Sequence, residues 1–395
     1  MADYQVDVVI IGGGLSGATL LHALAGSSLR ILMIDSQDFF EPQLTTQDAR
    51  SLTLSLASLR ILQHLDLWTG LAAHVTPIHT IHVSEQGRFG TACLEGPTQA
   101  PIGYVVPIHQ LVQTLYQGLD RSQVWAPATV TAFDVEQRRV TVQMGADCHQ
   151  VYTRLVVAAD GSHSSMRGLC NMPVQVKDYA QHAVVTQVDL ARAHQHIAYE
   201  RFSTWGPLAL LPVAPKRMGV VWSLTPELAQ QMVASSDREF LQALREAFGY
   251  RLGRFTGVGT RMTYPLRQMI MQTPVYADTV VFIGNAAHTL HPIAGQGFNL
   301  GLRDVAMLAQ ALKQADLSDP SLLAGYQAAR QHDQTAIARL TDGLIALYSH
   351  HGLGTRISRQ LGLLVLDNNR LLKRIVARYA SGLAGIVPDL VCGIS

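Results

Sequence analysis

Cysteine is sparse in this chain of 395 residues: Cys93, Cys148, Cys170 and Cys392 lie far apart and form no Cys-x-x-Cys pair. That excludes a disulfide scaffold and a thiolate metal centre, and it suits a reducing compartment. Charge is sparse too. Charged residues make up 15% of the chain, against about a quarter in an ordinary soluble domain. The formal net charge of +1 gives no field to draw nucleic acid or an acidic partner. Basic residues do not interleave with aromatics either, so a nucleic-acid role is excluded. No apolar run approaches the ~20 residues of a membrane-spanning helix. The first strand falls within the opening ten residues, which leaves no room for a signal or transit peptide. A cytoplasmic protein, soluble or at most peripheral, is expected. Histidine is plentiful, but the pairs His79/His82 and His288/His291 lack a third ligand nearby and read as loop and strand residues. With no serine, cysteine or metal catalytic constellation, the chemistry falls to a cofactor.

What the chain does have is glycine in a telling place. Val6–Ile11 is a continuous apolar run, as for a strand buried on both faces of a parallel sheet. Gly12-Gly13-Gly14-Leu15-Ser16-Gly17 follows, then a helical stretch through Ala25, then a second strand, Arg30–Ile34, closed by Asp35. In this βαβ unit Gly12 makes the tight turn, Gly14 lets a pyrophosphate approach, and Gly17 packs helix on strand. Asp35 stands where an acidic side chain holds ribose hydroxyls.

Further along, Ala57–Leu67 and Ile108–Leu119 read as helices, and Val124–Met144 as a hairpin-like meander. Arg154–Ala159 is another buried strand and leads into Asp160-Gly161-Ser162. Short alternating runs at Thr80–Ser84 and Thr91–Leu94 belong to an antiparallel layer. So do the strands Ala183–Leu190, Ile197–Phe202, Leu208–Val213 and Arg217–Leu224, with one helix at Ser236–Phe248. The fold class is α/β: a Rossmann-like nucleotide-binding domain (1–75, 104–172 and 262–342) interleaved with a mainly antiparallel β substrate domain (76–103 and 173–261). Residues 343–395 form a C-terminal helical region.

The most specific segment is 284–305. A strand, Thr279–Ile283, enters a loop punctuated by Pro292, Gly295 and Gly297, and an apolar helix begins around Phe298. Small residues let a flat ligand come close, and the helix start aims unpaired N–H groups at it. This segment resembles, nearly residue for residue, the signature of the ubiquinone-biosynthesis hydroxylases, FAD-dependent aromatic monooxygenases related to para-hydroxybenzoate hydroxylase.

The resemblance implies FAD as the cofactor. It places Arg50 near the flavin, Asp160 and Gly161 near the ribityl–pyrophosphate region, and Gly284 and Asn285 on the ribityl chain. Pro292, Gly295, Gln296, Gly297, Phe298 and Asn299 would then lie beside the ring. From the residues alone Arg50 could be a loop charge, and Asp160 a cap for a helix at Ser164–Leu169. Many relatives have Gly-Asp where this chain has Gly284-Asn285; asparagine still bonds a hydroxyl but carries no charge. The departure resembles the 2-polyprenyl-6-methoxyphenol hydroxylase branch. The implied reaction uses NAD(P)H and O2 to hydroxylate a polyprenyl phenol at flavin C4a. With no second Gly-x-Gly-x-x-Gly unit, the reductant would bind transiently. Flavin halogenases share this scaffold, but their Trp-x-Trp signature is absent. No phenol-deprotonating base is identifiable; Tyr199 and Arg201 share one strand face, with core or surface roles equally open. The alternatives are a monooxygenase for a soluble aromatic and a non-catalytic FAD-holding member of a biosynthetic complex.

Between Gly343 and Pro388, six basic residues (Arg356, Arg359, Arg370, Lys373, Arg374 and Arg378) face one acid, Asp367. Leu371, Leu372, Ile375, Val376 and Tyr379 recur at helical spacing. A basic amphipathic helix can lie on an anionic membrane, here the inner membrane face. It can also pack on its own domain or a subunit.

Overall fold

The computed structural model describes residues 3–38, 50–96, 100–291, 295–314, 316–349, 353–383 and 388–392. Its first sheet runs β18 (Val275–Tyr276), β19 (Val280–Phe282), β11 (Asp147–Ala158), β1 (Asp3–Ile11), β2 (Ile31–Ile34), β8 (Val124–Trp125). From β19 to β8 the strands are parallel. The hairpin of β9 (Thr129–Asp134) and β10 (Arg139–Met144) pairs with β11 as the expected meander.

The unbroken apolar run of β1 has a direct cause. Val8 and Ile10 pack on Leu20 of α1 (Leu15–Ala23), on Leu24 just past its end, and on Val305 and Leu308 of α8 (Gln296–Gln314). Val9 and Ile11 pack oppositely on Ala128, Val130, Val140 and Val142 of the meander. With both faces covered, no polar alternation can survive.

The second, nine-stranded sheet runs β20 (His288–Thr289), β17 (Met262–Ile270), β12 (Gln175–Leu190), β15 (Arg217–Leu224), β14 (Gly206–Ala214), β13 (Ile197–Ser203), β5 (Thr80–Glu85), β6 (Thr91–Glu95), and β16 (Phe255–Val258) pairs with β12. One face is covered by α6 (Pro226–Ala234) and α7 (Asp237–Phe248): Val184, Tyr199, Leu208, Leu210, Val220 and Trp222 are buried against them. Only the second of these helices was expected. The first is short, but its start is written plainly, with Thr225 capping the Leu228 N–H and Pro226 opening the helix.

A small sheet, β3 (Ser51–Ser55), β7 (Gly103–Pro107), β4 (Thr76–Ile78), bridges the two. Around it lie α2 (Leu56–His64), α3 (Trp68–Leu71) and α4 (Ile108–Gln117). The helix α5 (Ser165–Leu169) follows β11. The chain ends in α9 (Ser321–Ser349), α10 (Leu353–Asn368), α11 (Arg370–Ala380) and α12 (Asp389–Cys392). The α10 helix latches the outer edge of the second sheet: the Gly90 N–H donates to Gln360 Oε1 and the Cys93 N–H to Asp367 Oδ1. Among the described residues no helix is long and apolar enough to cross a membrane.

Candidate active site

The turn after β1 cannot carry a side chain. Gly12 has φ +100°, and a Cβ there would lie 2.6 Å from the Ala159 carbonyl oxygen. A Cβ on Gly17 would press into the Gly12 carbonyl, so this contact sets how closely α1 sits on the strand. Gly14 differs. Its backbone is ordinary (φ −64°) and a Cβ would meet no protein atom. The open space beside it is a cleft of about 280 Å³, lined by Gly12, Gly14, Asp35, Asp160, Gly161 and Ser165.

The groups around this cleft fit an ADP moiety. The N-terminus of α1 has no side-chain cap and no acid in its first turn, so its free N–H groups and dipole suit a pyrophosphate. Asp35 accepts hydrogen bonds from the Gly13 and Gln37 N–H groups, which fixes its carboxylate at the rim with lone pairs left for ribose hydroxyls. Asp160 serves two ends. One oxygen takes the Met166 N–H and the Ser165 hydroxyl, while the other is buried without a partner. The α5 cap itself is Ser164, which accepts the Arg167 N–H. Asp160 therefore braces the helix start and still offers an acceptor to the cleft.

Arg167, which sequence reading did not single out, ties this element to the next. Its guanidinium donates to the carbonyls of Ser162 and Ala286. Gly284 sits at φ +56° against Ser16 Oγ of α1, and Asn285 beside it is exposed. The helix α8 starts at Gln296 rather than at Phe298, because Gly297 occupies its first turn, where the N–H groups need no partner within the helix. A Cβ on Gly297 would meet nothing within 4 Å, so the helix entrance is open there, and Gln296 is half-buried beside it. Gly295, at φ +60°, lies against the Thr53 side chain.

Two residues expected at the ring turn inward instead. Asn299 accepts the Ser55 N–H and the Ser58 hydroxyl and donates to the carbonyls of Thr53 and Gly295. Phe298 packs into the cores around Leu54 and Leu302. Both shape the cradle from behind. Pro292 lies outside the described residues. Arg50 enters β3 with its guanidinium carbon 5.9 Å from the Tyr264 ring centroid, between the small sheet and the second sheet.

Beneath this segment lies a buried charged cluster. Asp304 accepts from His288 Nε2 (2.5 Å), Arg330 Nε (2.8 Å), Gln334 Nε2 (3.1 Å) and the Gly284 N–H (3.0 Å). Arg303 and Arg330 both reach Asp333. Burial pushes the Asp304 carboxyl upward, but the charges and hydrogen bonds of His288 and Arg330 outweigh it and hold it well below the usual range. His291 is buried edge-on to Tyr179, and burial lowers its imidazole to about 4.

The second sheet presents its other face toward Arg50 and the small sheet. Val185, Leu211, Val221 and Met262 alternate with the buried residues under α6 and α7, and all four are only half-buried. An apolar sheet face left partly open opposite a nucleotide fold is a place for an apolar ligand.

Comparison with known proteins identifies the family. The family described as FAD binding domain matches residues 5–341. The chain is 34% identical to the ubiquinone hydroxylase UbiL of Rhodospirillum rubrum, over 98% of this chain and 92% of that protein. It is 27% identical to the 3-demethoxyubiquinol 3-hydroxylase of Escherichia coli, over 97% and 100%. Its fold matches p-nitrophenol 4-monooxygenase PnpA of Pseudomonas putida at a TM-score of 0.79 and 16% identity, over 98% of this chain and 99% of that one. The chain belongs to the FAD-dependent aromatic monooxygenases, in the family of the ubiquinone-biosynthesis hydroxylases.

Proposed function

We propose that this enzyme hydroxylates the aromatic ring of a polyprenyl phenol in ubiquinone biosynthesis, with NAD(P)H as reductant and O2 as oxygen source. The observation that carries this reading is the half-open apolar face of the second sheet, which suits a ring with a long hydrocarbon tail better than a polar soluble aromatic. FAD, when bound, supplies the oxygen-transfer chemistry. The chain's own work is binding and shielding. The entrance to α1 takes the pyrophosphate, Asp35 the ribose, Asp160 and Asn285 the hydroxyls beyond it, and the Gly295–Gly297 amides the ring's polar edge. The apolar floor then excludes water from the reacting carbon.

The α11 helix supports a peripheral membrane contact as part of the same reading. Leu371, Leu372, Ile375, Val376 and Tyr379 are 36–67% exposed along it, and Lys373, Arg374 and Arg378 share it. Such a helix would dock on an anionic leaflet and bring the site to a membrane-dissolved substrate.

The test is NAD(P)H oxidation by FAD-loaded protein, with the product identified by mass spectrometry. Polyprenyl phenol should stimulate oxidation and yield one hydroxylated product per NAD(P)H. Turnover on short soluble phenols alone would favour the soluble-substrate alternative. No stimulation by any phenol would leave a non-catalytic FAD protein.

A further inference from the structure

A carboxyl stands in the apolar row of the face described above. Glu200 on β13 is paired with Val83 of β5 and Ala209 of β14. From Ala209 the row continues through Val221 and Val185 to Met262. Opposed residues in a sheet share a face, so Glu200 stands in a row whose other members are all apolar. Its neighbours in sequence point the other way. Tyr199 packs edge-on to Phe248, and Arg201 donates to the Ala247 carbonyl and the Ser84 hydroxyl. Like Val185, Val221 and Met262 of the row, Glu200 is half-buried, on the face turned away from α6 and α7. Across the described residues no hydrogen bond or ion pair engages it. The other titratable groups on this face are Glu85, which accepts from Gln360, the Asp189–Arg217 pair, and Tyr264 with Arg50 beside it. Neither they nor any other charge contributes to its proton affinity: burial alone pushes its carboxyl up to about 7. A carboxyl kept on an apolar surface without a partner costs stability, and that cost persists where a ligand supplies the partner.

We infer that Glu200 is the base that takes the proton of the substrate's ring hydroxyl, an assignment that rests on the hydroxylase reading above. The phenolic O–H bond breaks and an O–H bond forms on a Glu200 carboxylate oxygen. The electron pair stays on the phenolate and raises electron density at the ring carbon that receives oxygen. O2 is the oxidant and NAD(P)H the reductant. The hydroxylated ring recovers its O–H from its own displaced C–H proton, and the proton on Glu200 leaves with the second oxygen atom as water. A carboxyl poised near 7 is a carboxylate for much of the time at neutral pH, yet basic enough to accept a proton from a bound phenol.

The experiment compares the FAD-loaded wild type with E200Q and E200D, using a 2-methoxyphenol bearing a short alkyl chain at carbon 6. E200Q should keep its flavin content, its melting temperature and a KM within about threefold of wild type, while kcat falls about 10²–10⁴-fold. The wild-type rate should rise as pH passes about 7. E200Q should lose that limb and recover rate only toward the phenol's own ionisation near 10. E200D should recover part of kcat. A readout independent of turnover is the infrared carboxylic-acid C=O band of the ligand-free protein, which should vanish in wild type as pH passes about 7 and be missing from the E200Q difference spectrum. Equal kcat and an unchanged pH limb in E200Q, or no titrating carboxylic-acid band that E200Q removes, would overturn the assignment and leave the hydroxylase reading intact. Wild-type protein that hydroxylates no phenol would overturn both. A melting temperature lowered in E200Q and E200D alike, with kcat unchanged, would make Glu200 structural.

Discussion

His288 Nε2 lies 2.5 Å from Asp304 Oδ2, with both side chains buried beneath the turn at Gly284. The same Asp304 oxygen accepts the Gly284 N–H, so one carboxylate sets the turn and neutralises the cations behind it. Replacing it leaves His288 and Arg330 uncompensated in a dry site. D304A is expected to lose about 3–5 kcal/mol of stability and much of its FAD, read by thermal melts with and without added cofactor. The pH dependence follows from the depressed carboxyl. Its contribution is complete above the unfolded value near 4 and drains away below that as pH falls toward the folded value. The acid limb of melting temperature against pH should therefore be steeper in wild type than in D304N. Parallel limbs would show that the pair contributes nothing to the pH response.

Gly12 and Gly14 separate folding from binding. G12A puts a methyl group against the Ala159 carbonyl at a left-handed φ, and the apoprotein should melt lower or fail to fold. G14A meets no protein atom at an ordinary φ. Its apoprotein should be as stable as wild type, or up to about 1 kcal/mol more so through a stiffer unfolded chain. Its FAD dissociation constant, from fluorescence titration, should nevertheless rise at least tenfold, because the methyl group occupies the pyrophosphate's place. Unimpaired FAD binding by G14A would remove the cleft from the cofactor's path.

Two asparagines expected at one site behave oppositely. Asn299 makes four internal hydrogen bonds, whereas Asn285 is exposed. N299A strands several buried groups at about 1–3 kcal/mol each and should destabilise apoprotein and holoprotein alike. N285A should leave the apoprotein's melting curve untouched and weaken only the stabilisation gained from FAD. Equal effects on the apoprotein would reject the division.

These contrasts mark what residue order can convey. The β1–α1–β2 unit is legible because burial on both faces leaves a continuous apolar run, and because a glycine turn has few other uses. The cluster at Asp304 is not, since its acceptor role joins His288, Arg330 and Gln334 from separate elements. Arg167 reaches a carbonyl 119 residues away. Glu200 escapes notice for a subtler reason. Strand alternation puts it opposite Tyr199 and Arg201, but which face stays uncovered by helices is decided only when α6 and α7 pack on the other one.

Solvent-facing leucine and isoleucine on a short helix give the last prediction. Leu371 and Ile375 are 67% and 45% exposed, so replacing both with glutamate removes no core contact and should not move the melting temperature. If α11 rests on a membrane, the same change withdraws two apolar side chains from the lipid boundary. That loss is about 3 kcal/mol, or roughly a hundredfold in partitioning. It is measured by co-sedimentation with vesicles containing anionic lipid. Salt should weaken the wild-type interaction only in part, because Arg374 and Arg378 act through a screened field while the apolar stripe does not. Neutral vesicles should bind less than anionic ones. Wild-type and L371E/I375E chains that sediment equally would remove the exposed stripe from membrane binding.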